Sequence, residues 1–282
     1  MPKVQVAYQG AEGAYSEEAI WQVFPEADTV GFSTFHEVFE TVSQGNLPYG
    51  VVPVENSVAG SINQTYDLLL ASDLHVIGEV ILRVRHCLLA LPGAEIGGIK
   101  KVLSHPQALA QCDGFLSRHR WQSEQVFDTA GAAARLAESK DLSSAAIASH
   151  RAAERYGLKV LASGIEDFDF NYTRFFVLAP QPQARQEGTH KTSLVFAMRQ
   201  RRGQSPGGLI ELLQPFAQVG ISLTKLESRP RRDRAWSYVF YVDLEGHIAD
   251  PNVAQAMVEL LRQAAFVKVL GSYPKAAEEP AG

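Results

Sequence analysis

Short apolar runs alternate with amphipathic stretches over the first 180 residues, and this alternation predicts an α/β fold. The apolar runs have the length and the Val, Ile and Leu content of buried strands. Val76–Leu91 is the longest run that is mostly extended. The predicted strands cover 4–8, 49–54, 101–104, 145–148 and 174–178. The predicted helices cover 16–24, 61–70, 106–118 and 130–139, and a further one begins near 149 and ends at Gly157.

A different pattern follows a polar segment at 181–190, which has no apolar period. Strand and helix patterns then occur in the order βαββαβ, which is typical of a ferredoxin-like fold. Pro206 is well placed to open the first helix, whereas Pro215 should kink or divide it because it removes a backbone hydrogen bond. We therefore predict a front domain over 1–180, a linker over 181–190 and a second domain over 191–273.

The composition is that of a soluble globular protein. Hydrophobic residues make up 46% and charged residues 20%, and no apolar run reaches the roughly 18 residues that suggest a membrane span. The first residues enter a strand pattern without the charged head and apolar stretch of a signal peptide, which predicts a cytoplasmic location. The two cysteines and eight histidines lack the spacing of metal sites, and nucleotide loops are absent. We therefore expect neither a metal nor a cofactor.

The charge is unevenly divided along the chain. Residues up to Thr189 carry 14 Lys+Arg against 22 Asp+Glu, a balance of −8, and the remainder carries 12 against 9, a balance of +3. This shift fits two separately built domains, and the acidic front part argues against nucleic-acid binding. A basic cluster in the second part is interrupted by Asp233 and lacks stacking aromatic residues, which favours a solvated hairpin rim. It consists of Arg229, Arg231, Arg232 and Arg234.

A strand end followed by a small polar residue and a helix start recurs five times in the front part. These positions are 10–16, 55–60, 104–107, 128–129 and 149. Free backbone N–H groups at helix N-termini bind carboxylates and phosphates, and strand ends of one sheet line one crevice. Each position taken singly is explained as an ordinary helix cap. Together they predict a site for a small anionic ligand.

Several segments resemble, in order, the signatures of the prephenate dehydratase family. They are GAEGAYSE at 10–17, VPVENSVAG at 52–60, SHPQA at 104–108 and NYTRF at 171–175, and ESRP at 227–230 resembles the effector motif of that family's ACT domain. The resemblance runs over nearly the whole chain. It implies a catalytic domain of two α/β lobes, like a type 2 periplasmic binding protein with the active site in its cleft, followed by an ACT regulatory domain.

The resemblance also implies an activity, namely loss of water and CO₂ from prephenate to give phenylpyruvate in phenylalanine biosynthesis. L-Phenylalanine would be the allosteric effector of a homodimer or homotetramer, without nucleic-acid or membrane partners. The ring becomes aromatic as the carboxylate leaves, so the reaction requires no metal, nucleotide or covalent nucleophile. Thr173 is the residue that the family treats as essential. Because a threonine hydroxyl is a poor acid, we interpret it as a hydrogen-bond donor or proton relay to the departing oxygen.

The other motif residues are expected to bind substrate or effector. In an extended strand Thr173 and Phe175 face one side and Arg174 the other, so Arg174 either reaches a carboxylate or pairs with an acidic residue. His105 is either a proton donor or structural. The expected substrate-binding residues are Ser16, Asn56, Ser57, Gly60, Ser104, His105, Gln107, Asn171, Arg174 and Phe175. The expected effector-binding residues are Gly207, Gly208, Leu209, Glu227, Ser228, Arg229 and Pro230.

Two alternative functions stay open at this point. An arogenate dehydratase would share the fold and differ by an amino group on the side chain of its substrate, and the lack of a transit peptide favours prephenate. A catalytically inactive amino-acid-sensing protein belongs to a different class. The intact 171–175 segment argues against it.

Overall fold

The chain forms two compact units. The structure is a computed structural model that describes residues 3–199, 206–231 and 234–277, so Arg232 of the basic cluster lies outside the described residues. The first unit contains the chain up to Tyr66 together with Val80–Val177. The second unit contains Asp67–Glu79 together with the chain from Leu178 onward. No described helix has the length and apolar character needed to cross a membrane.

A mixed sheet carries the first signature segments of the chain. Its strands are β1 (Gln5–Gln9), β2 (Asp28–Phe32), β3 (Tyr49–Asn56), β4 (Gly60–Ser61), β5 (His75–Arg83) and β11 (Tyr172–Ala179). Their order is β2-β1-β3-β11-β5, with β4 paired to β3, and β1 runs parallel to both of its neighbours. The associated helices are α1 (Tyr15–Val23), α2 (Phe35–Ser43) and α3 (Asn63–Ala71). The NYTRF segment therefore lies in the middle of this sheet, beside the strand that ends at Asn56.

A second sheet of the first unit has the order β10-β6-β9-β7-β8. Its strands are β6 (Cys87–Ala90), β7 (Lys101–Ser104), β8 (Gln122–Gln125), β9 (Ser144–Ala148) and β10 (Lys159–Ser163). Its helices are α4 (Pro106–Gln111), α5 (Asp113–His119), α6 (Thr129–Glu138) and α7 (His150–Tyr156), with a 3₁₀ turn at Ile96–Gly98. Because β7 runs parallel to both β8 and β9, the helices α4, α6 and α7 that follow these strands all begin at one edge of the sheet.

The central strand of the second sheet is buried on both faces. Ala145 and Ile147 of β9 belong to one hydrophobic cluster, and Ala146 and Ala148 belong to another. Alternate residues of a strand point to opposite faces, so small side chains here let helices pack closely on both sides. Two sheets, each in an α/β arrangement, confirm the two-lobed plan expected of the catalytic part.

The second unit contains the expected ferredoxin-like arrangement. Its elements are β12 (His190–Met198), α8 (Gly208–Gln218), β13 (Leu223–Pro230), β14 (Tyr238–Glu245), α9 (Pro251–Gln263) and β15 (Ala264–Pro274). The strands are antiparallel in the order β13-β14-β12-β15, which confirms the predicted βαββαβ topology. Both helices contribute to its core, which includes Leu194, Phe196, Leu212, Phe216, Met257 and Leu260.

Several elements differ from the sequence prediction. Pro215 does not divide α8, since it is buried inside a helix that continues to Gln218. The single helix predicted at 106–118 is two helices that meet at Cys112. The extended run at 76–91 is divided between the two sheets of the first unit. The elements β2, α2, β4, β8 and β10 were not predicted. The four strands are too short for a clear period, whereas α2 has a helical apolar period and a capping box of Thr34 and Glu37 from which it could have been predicted.

The segment Asp67–Glu79 is bound tightly within the second unit, although it precedes the linker in sequence. The Lys268 ammonium group donates hydrogen bonds of 2.9 Å to the carbonyl oxygens of Leu69 and Leu70 at the end of α3. Lys191 forms a 3.0 Å ion pair with the fully buried carboxylate of Glu79. Since α3 and β5 each begin in one unit and end in the other, they connect the two units covalently in addition to the linker.

Candidate active site

A cavity of about 470 Å³ lies in the first unit and is lined by residues from both of its sheets. Asn56, Thr173 and Phe175 come from β3 and β11 of the first sheet. His105, Gln107 and Asp128 come from the helix-starting edge of the second sheet. The lining also includes Tyr15, Ser16, His86, Gln111, Phe127 and Thr129. The cavity therefore brings together most of the positions at which the sequence predicted an anion site.

Strand alternation in β11 determines which side chains of the NYTRF segment reach the cavity. Thr173 and Phe175 are both buried and line it. Arg174 does not line it, and its guanidinium group lies 3.8 Å from the Glu55 carboxylate and 4.8 Å from the centre of the Phe176 ring. Of the two roles considered for Arg174, the geometry favours pairing with an acidic residue over contact with substrate.

The Asn56 amide has one orientation that its neighbours permit. Its Oδ1 accepts hydrogen bonds from the backbone N–H groups of Val58 at 3.1 Å and Ala59 at 2.8 Å. Because a backbone N–H can only donate, the oxygen of the amide must face these groups and the nitrogen must face the other way. The nitrogen Nδ2 then donates one N–H to Asn171 Oδ1 and shares the other between Thr173 Oγ1 and the Tyr172 carbonyl oxygen, both at 3.0 Å. Thr173 is thus a hydrogen-bond acceptor from Asn56, and its own hydroxyl proton is left for a group in the cavity.

The same orientation propagates through a buried chain of polar side chains. Asn56 Nδ2 donates to Asn171 Oδ1 at 2.7 Å, so Asn171 Nδ2 donates to Gln111 Oε1 at 3.0 Å. His86 Nε2 lies 2.9 Å from the same Gln111 oxygen and must therefore carry the imidazole proton. His86 Nδ1 is then an acceptor that lies 3.1 Å from the Tyr15 hydroxyl, whose single proton also faces the Arg85 carbonyl oxygen at 2.8 Å. The backbone at Val58 and Ala59 thereby fixes the direction of the bonds from Asn56 through Asn171 and Gln111 to His86.

Burial keeps the chain uncharged. Desolvation lowers the pKa of His86 below its ordinary value, which favours the neutral imidazole that the hydrogen bonds require. Desolvation likewise raises the pKa of Tyr15, so its hydroxyl stays protonated at neutral pH. A neutral and fully bonded network can be buried at low cost, whereas a partly bonded one cannot.

The N-terminus of α1 is open to the cavity. Helix α1 begins without a hydrogen-bonded side-chain cap, and Ala14, Tyr15 and Ser16 at its start line the cavity. By contrast, Thr34, Asp128 and Ser149 cap the first turns of α2, α6 and α7, respectively. Free N–H groups and the helix dipole favour a carboxylate at such an end. This part of the cavity is the best-equipped place for an anionic group of a ligand.

His105 also lines the cavity, at the start of α4. Its Nδ1 accepts a hydrogen bond from the Gln107 backbone N–H at 3.2 Å, so this nitrogen carries no proton. Desolvation lowers the pKa of His105, partly opposed by the nearby charge of Asp128. The imidazole is therefore neutral at neutral pH and presents its Nε2–H as a donor.

Other motif residues lie outside the cavity lining. Ser104 Oγ donates to the carbonyl oxygen of Ile147 at 2.6 Å, and Ser57 Oγ donates to that of Phe170 at 2.5 Å. Asn171 supports the cavity from behind through the chain of amides. Gly60, in β4, has a φ of +81°, a conformation that side-chain-bearing residues rarely adopt. The substrate-binding role expected of these four residues therefore stays a prediction, since none of them lines the cavity.

The residues expected to bind the effector lie on two elements of the second unit. Gly207, with a φ of +84°, is the N-cap of α8 and makes no side-chain cap, and the helix begins with Gly208 and Leu209. On β13, Glu227 forms a 3.2 Å ion pair with Lys225. Arg229 donates two hydrogen bonds, of 3.1 and 3.3 Å, to one carboxylate oxygen of Asp67, while Ser228 and Pro230 are exposed.

Sequence reasoning did not single out Tyr15, His86, Gln111, Phe127 or Asp128 as separate site residues. His86 and Gln111 interrupt apolar runs that are otherwise buried, and this is the signal that could have identified them. No group of three or more His, Cys, Asp or Glu residues that could hold a metal occurs in the described part of the chain.

Each part of the chain matches a known family. The prephenate dehydratase family matches residues 6–183, and the ACT domain matches residues 203–262. An Arabidopsis thaliana protein named arogenate dehydratase/prephenate dehydratase 2, chloroplastic, is 44% identical over 284 residues, which is 96% of this chain and 73% of the relative.

Two solved structures are similar to this chain over nearly its whole length. Prephenate dehydratase from Arthrobacter aurescens, in complex with L-Phe, is 32% identical, with a TM-score of 0.88 over 99% of this chain and 92% of that one. A protein called GqqA, described as a novel type of quorum-quenching acylase, is 33% identical, with a TM-score of 0.87 over 96% of this chain and 98% of that one.

We expect the stability that His86 confers to decrease as the pH falls. Because burial lowers the pKa of His86 in the folded state, the unfolded chain takes up a proton first, below the ordinary value of about 6.5. The variant His86→Gln lacks this titrating group. The difference in Tm between the original protein and the variant should therefore narrow from about pH 7.5 to about pH 5. A difference that stays constant over this range would show that His86 does not titrate as a buried neutral group.

Proposed function

The chain belongs to the prephenate dehydratase family, and we propose that it removes water and CO₂ from a prephenate-type cyclohexadienol in the synthesis of phenylalanine. Two substrates satisfy this description: prephenate, which gives phenylpyruvate, and arogenate, which carries an amino group on its side chain and gives phenylalanine. The observation that supports this proposal is the Thr173 hydroxyl, which lines the cavity and accepts from Asn56, so that its proton is available to a ligand.

The reaction couples the breaking of two bonds on the substrate ring. The electron pair of the bond to the ring carboxylate enters the ring as CO₂ leaves, and the ring becomes aromatic as the hydroxyl oxygen departs with its bonding pair. That oxygen must gain a proton to leave as water, and the reaction takes this proton up from the solvent. Thr173 donates a hydrogen bond to the departing oxygen and can relay the proton to it, and assistance of this kind is typically worth about 10²–10⁴-fold in rate. The neighbouring Asn56 amide donates rather than accepts, so it does not compete for the Thr173 proton.

The rest of the cavity is suited to holding such a substrate. Phe175 offers an aromatic face for the ring, on the same side of β11 as Thr173. The open N-terminus of α1 and the neutral donors His105 and Gln107 can bind carboxylates. A catalytically inactive sensor would have no need of an oriented Thr173 hydroxyl in this cavity.

Substitution of Thr173 tests the proposed activity. Thr173→Ala removes the hydroxyl and should lower kcat by at least about 10²-fold, because the leaving oxygen loses its donor. Thr173→Ser is the matched control, since it retains the hydroxyl and loses only a methyl group, and it should retain most of the activity. Both variants should be assayed with prephenate and with arogenate, together with their Tm values.

Equal losses in a folded Thr173→Ser and a folded Thr173→Ala variant would exclude the hydroxyl as the active group. Conversion of neither substrate by the original protein would contradict the proposed activity and favour an amino-acid-sensing protein.

We also propose feedback control by L-phenylalanine through the second unit. The ACT domain match and the L-Phe complex of the Arthrobacter aurescens relative support an effector of this kind. The effector motif on β13 is joined to α3 by the ion pair of Arg229 with Asp67, in which both side chains are mostly buried. Helix α3 begins at Asn63, in the first unit, shortly after the Asn56 loop. A displacement of β13 can therefore reach the loop that orients Thr173.

The variant Asp67→Asn should uncouple this control. An effector acts only through a difference in its affinity for two conformations, and typical couplings change affinity by about 5–150-fold. In Asp67→Asn, the ratio of the substrate KM measured with phenylalanine to the KM measured without it should approach one. Calorimetry should still detect phenylalanine binding. Glu259→Gln is the control, because it breaks the exposed pair with Arg262 in the same unit and should leave the coupling intact. Full inhibition of Asp67→Asn by phenylalanine would rule out this route.

A further inference from the structure

The charge within the cavity is unusual for a site that binds substrates with two carboxylates. No lysine or arginine is found among the described residues that line it. Its ionisable side chains are Tyr15, His86, His105 and Asp128. Burial lowers the pKa of both histidines and raises that of Tyr15, so these three groups are neutral at neutral pH. The Asp128 carboxylate is therefore the one formal charge in the lining, and it is negative.

Asp128 retains capacity for a further partner. It precedes α6, and its Oδ1 accepts a hydrogen bond from the Gly131 backbone N–H as a helix cap. An ionised carboxylate has about four acceptor positions on its two oxygens, so one capping bond leaves others available. Its neighbours in the lining include Thr129 and His105, whose side chains are neutral hydrogen-bonding groups. An acidic side chain beside neutral donors is the arrangement that recognises an α-amino acid group.

Asp128 and Thr173 line the same cavity from different sheets of the first unit. In prephenate and arogenate the departing hydroxyl and the side chain are attached at opposite ends of one six-membered ring. Thr173 lines the cavity from the first sheet, whereas Asp128 lines it from the second. A ring whose hydroxyl lies at Thr173 can therefore extend its side chain toward Asp128.

The two proposed substrates differ in their charge. Prephenate carries two negative charges and a keto group, whereas arogenate carries the same two carboxylates and an ammonium group. The half-buried Asp128 carboxylate attracts the ammonium group and repels the dianion, because a charge pair that is partly shielded from water is screened less than an exposed one. We propose that Asp128 binds the ammonium group of arogenate, so that this chain prefers arogenate to prephenate. The inference rests on the proposed dehydratase function.

Replacement of the Asp128 charge tests this assignment. Asparagine caps helices about as well as aspartate, so Asp128→Asn keeps the shape and the cap of α6 and removes the charge. The ratio of kcat/KM for arogenate to kcat/KM for prephenate should exceed one in the original protein. It should fall at least about tenfold in the variant, mainly through a higher KM for arogenate, since a hydrogen bond to a charged group is lost. Asp113→Asn is the control, because it makes the same change on an exposed residue outside the cavity, and it should leave the ratio unchanged.

A ratio that stays the same in Asp128→Asn, or a parallel loss with both substrates, would make Asp128 a helix cap only and overturn the assignment. Calorimetric binding of both substrates to Thr173→Ala, alone and combined with Asp128→Asn, separates this inference from the proposed activity. A preference for arogenate that is lost with the Asp128 charge supports the assignment even if turnover fails. Equal binding of the two substrates contradicts it even if turnover is observed.

Discussion

The direction of one hydrogen bond controls the proposed chemistry. Two backbone N–H groups, of Val58 and Ala59, hold the oxygen of the Asn56 amide and thereby turn its nitrogen toward Thr173. If the amide were reversed, Thr173 would donate its proton to Asn56 and have none for a substrate. The turn that follows β3 therefore makes a weakly acidic hydroxyl useful as a donor.

The buried amides behind Thr173 explain why the cavity can be neutral. Asn171, Gln111 and His86 are satisfied by one another, and burial keeps the histidine uncharged. Removal of one member would leave a buried polar group without a partner, which costs about 1–3 kcal/mol. The same neutrality makes the Asp128 carboxylate the dominant charge that a ligand meets. Support of Thr173 and discrimination between substrates thus have a common physical origin.

Much of this structure could be predicted from the sequence, although the side-chain geometry could not. The βαββαβ order of the second unit follows from periodicity, and the family follows from its motifs. Pro251 opens α9, whereas Pro206 lies before the Gly207 cap and, contrary to the prediction, does not open α8. The roles of Arg174 and Ser104 could not be read in this way, because the partners Glu55 and Ile147 are set by pairing and burial. The chain from Asn56 to Tyr15 joins residues up to 115 positions apart, which no local pattern reveals.

The most direct test of this account is the turnover of two Asn56 variants at saturating substrate. Asn56→Ala removes the donor to Thr173 but leaves its proton free, whereas the carboxylate of Asn56→Asp accepts that proton from Thr173. If the direction of this hydrogen bond controls catalysis, kcat decreases in the order Asn56, Asn56→Ala, Asn56→Asp, with the last lower than the first by at least about 10²-fold. A folded Asn56→Asp protein that turns over as fast as Asn56→Ala, or faster, would contradict the account.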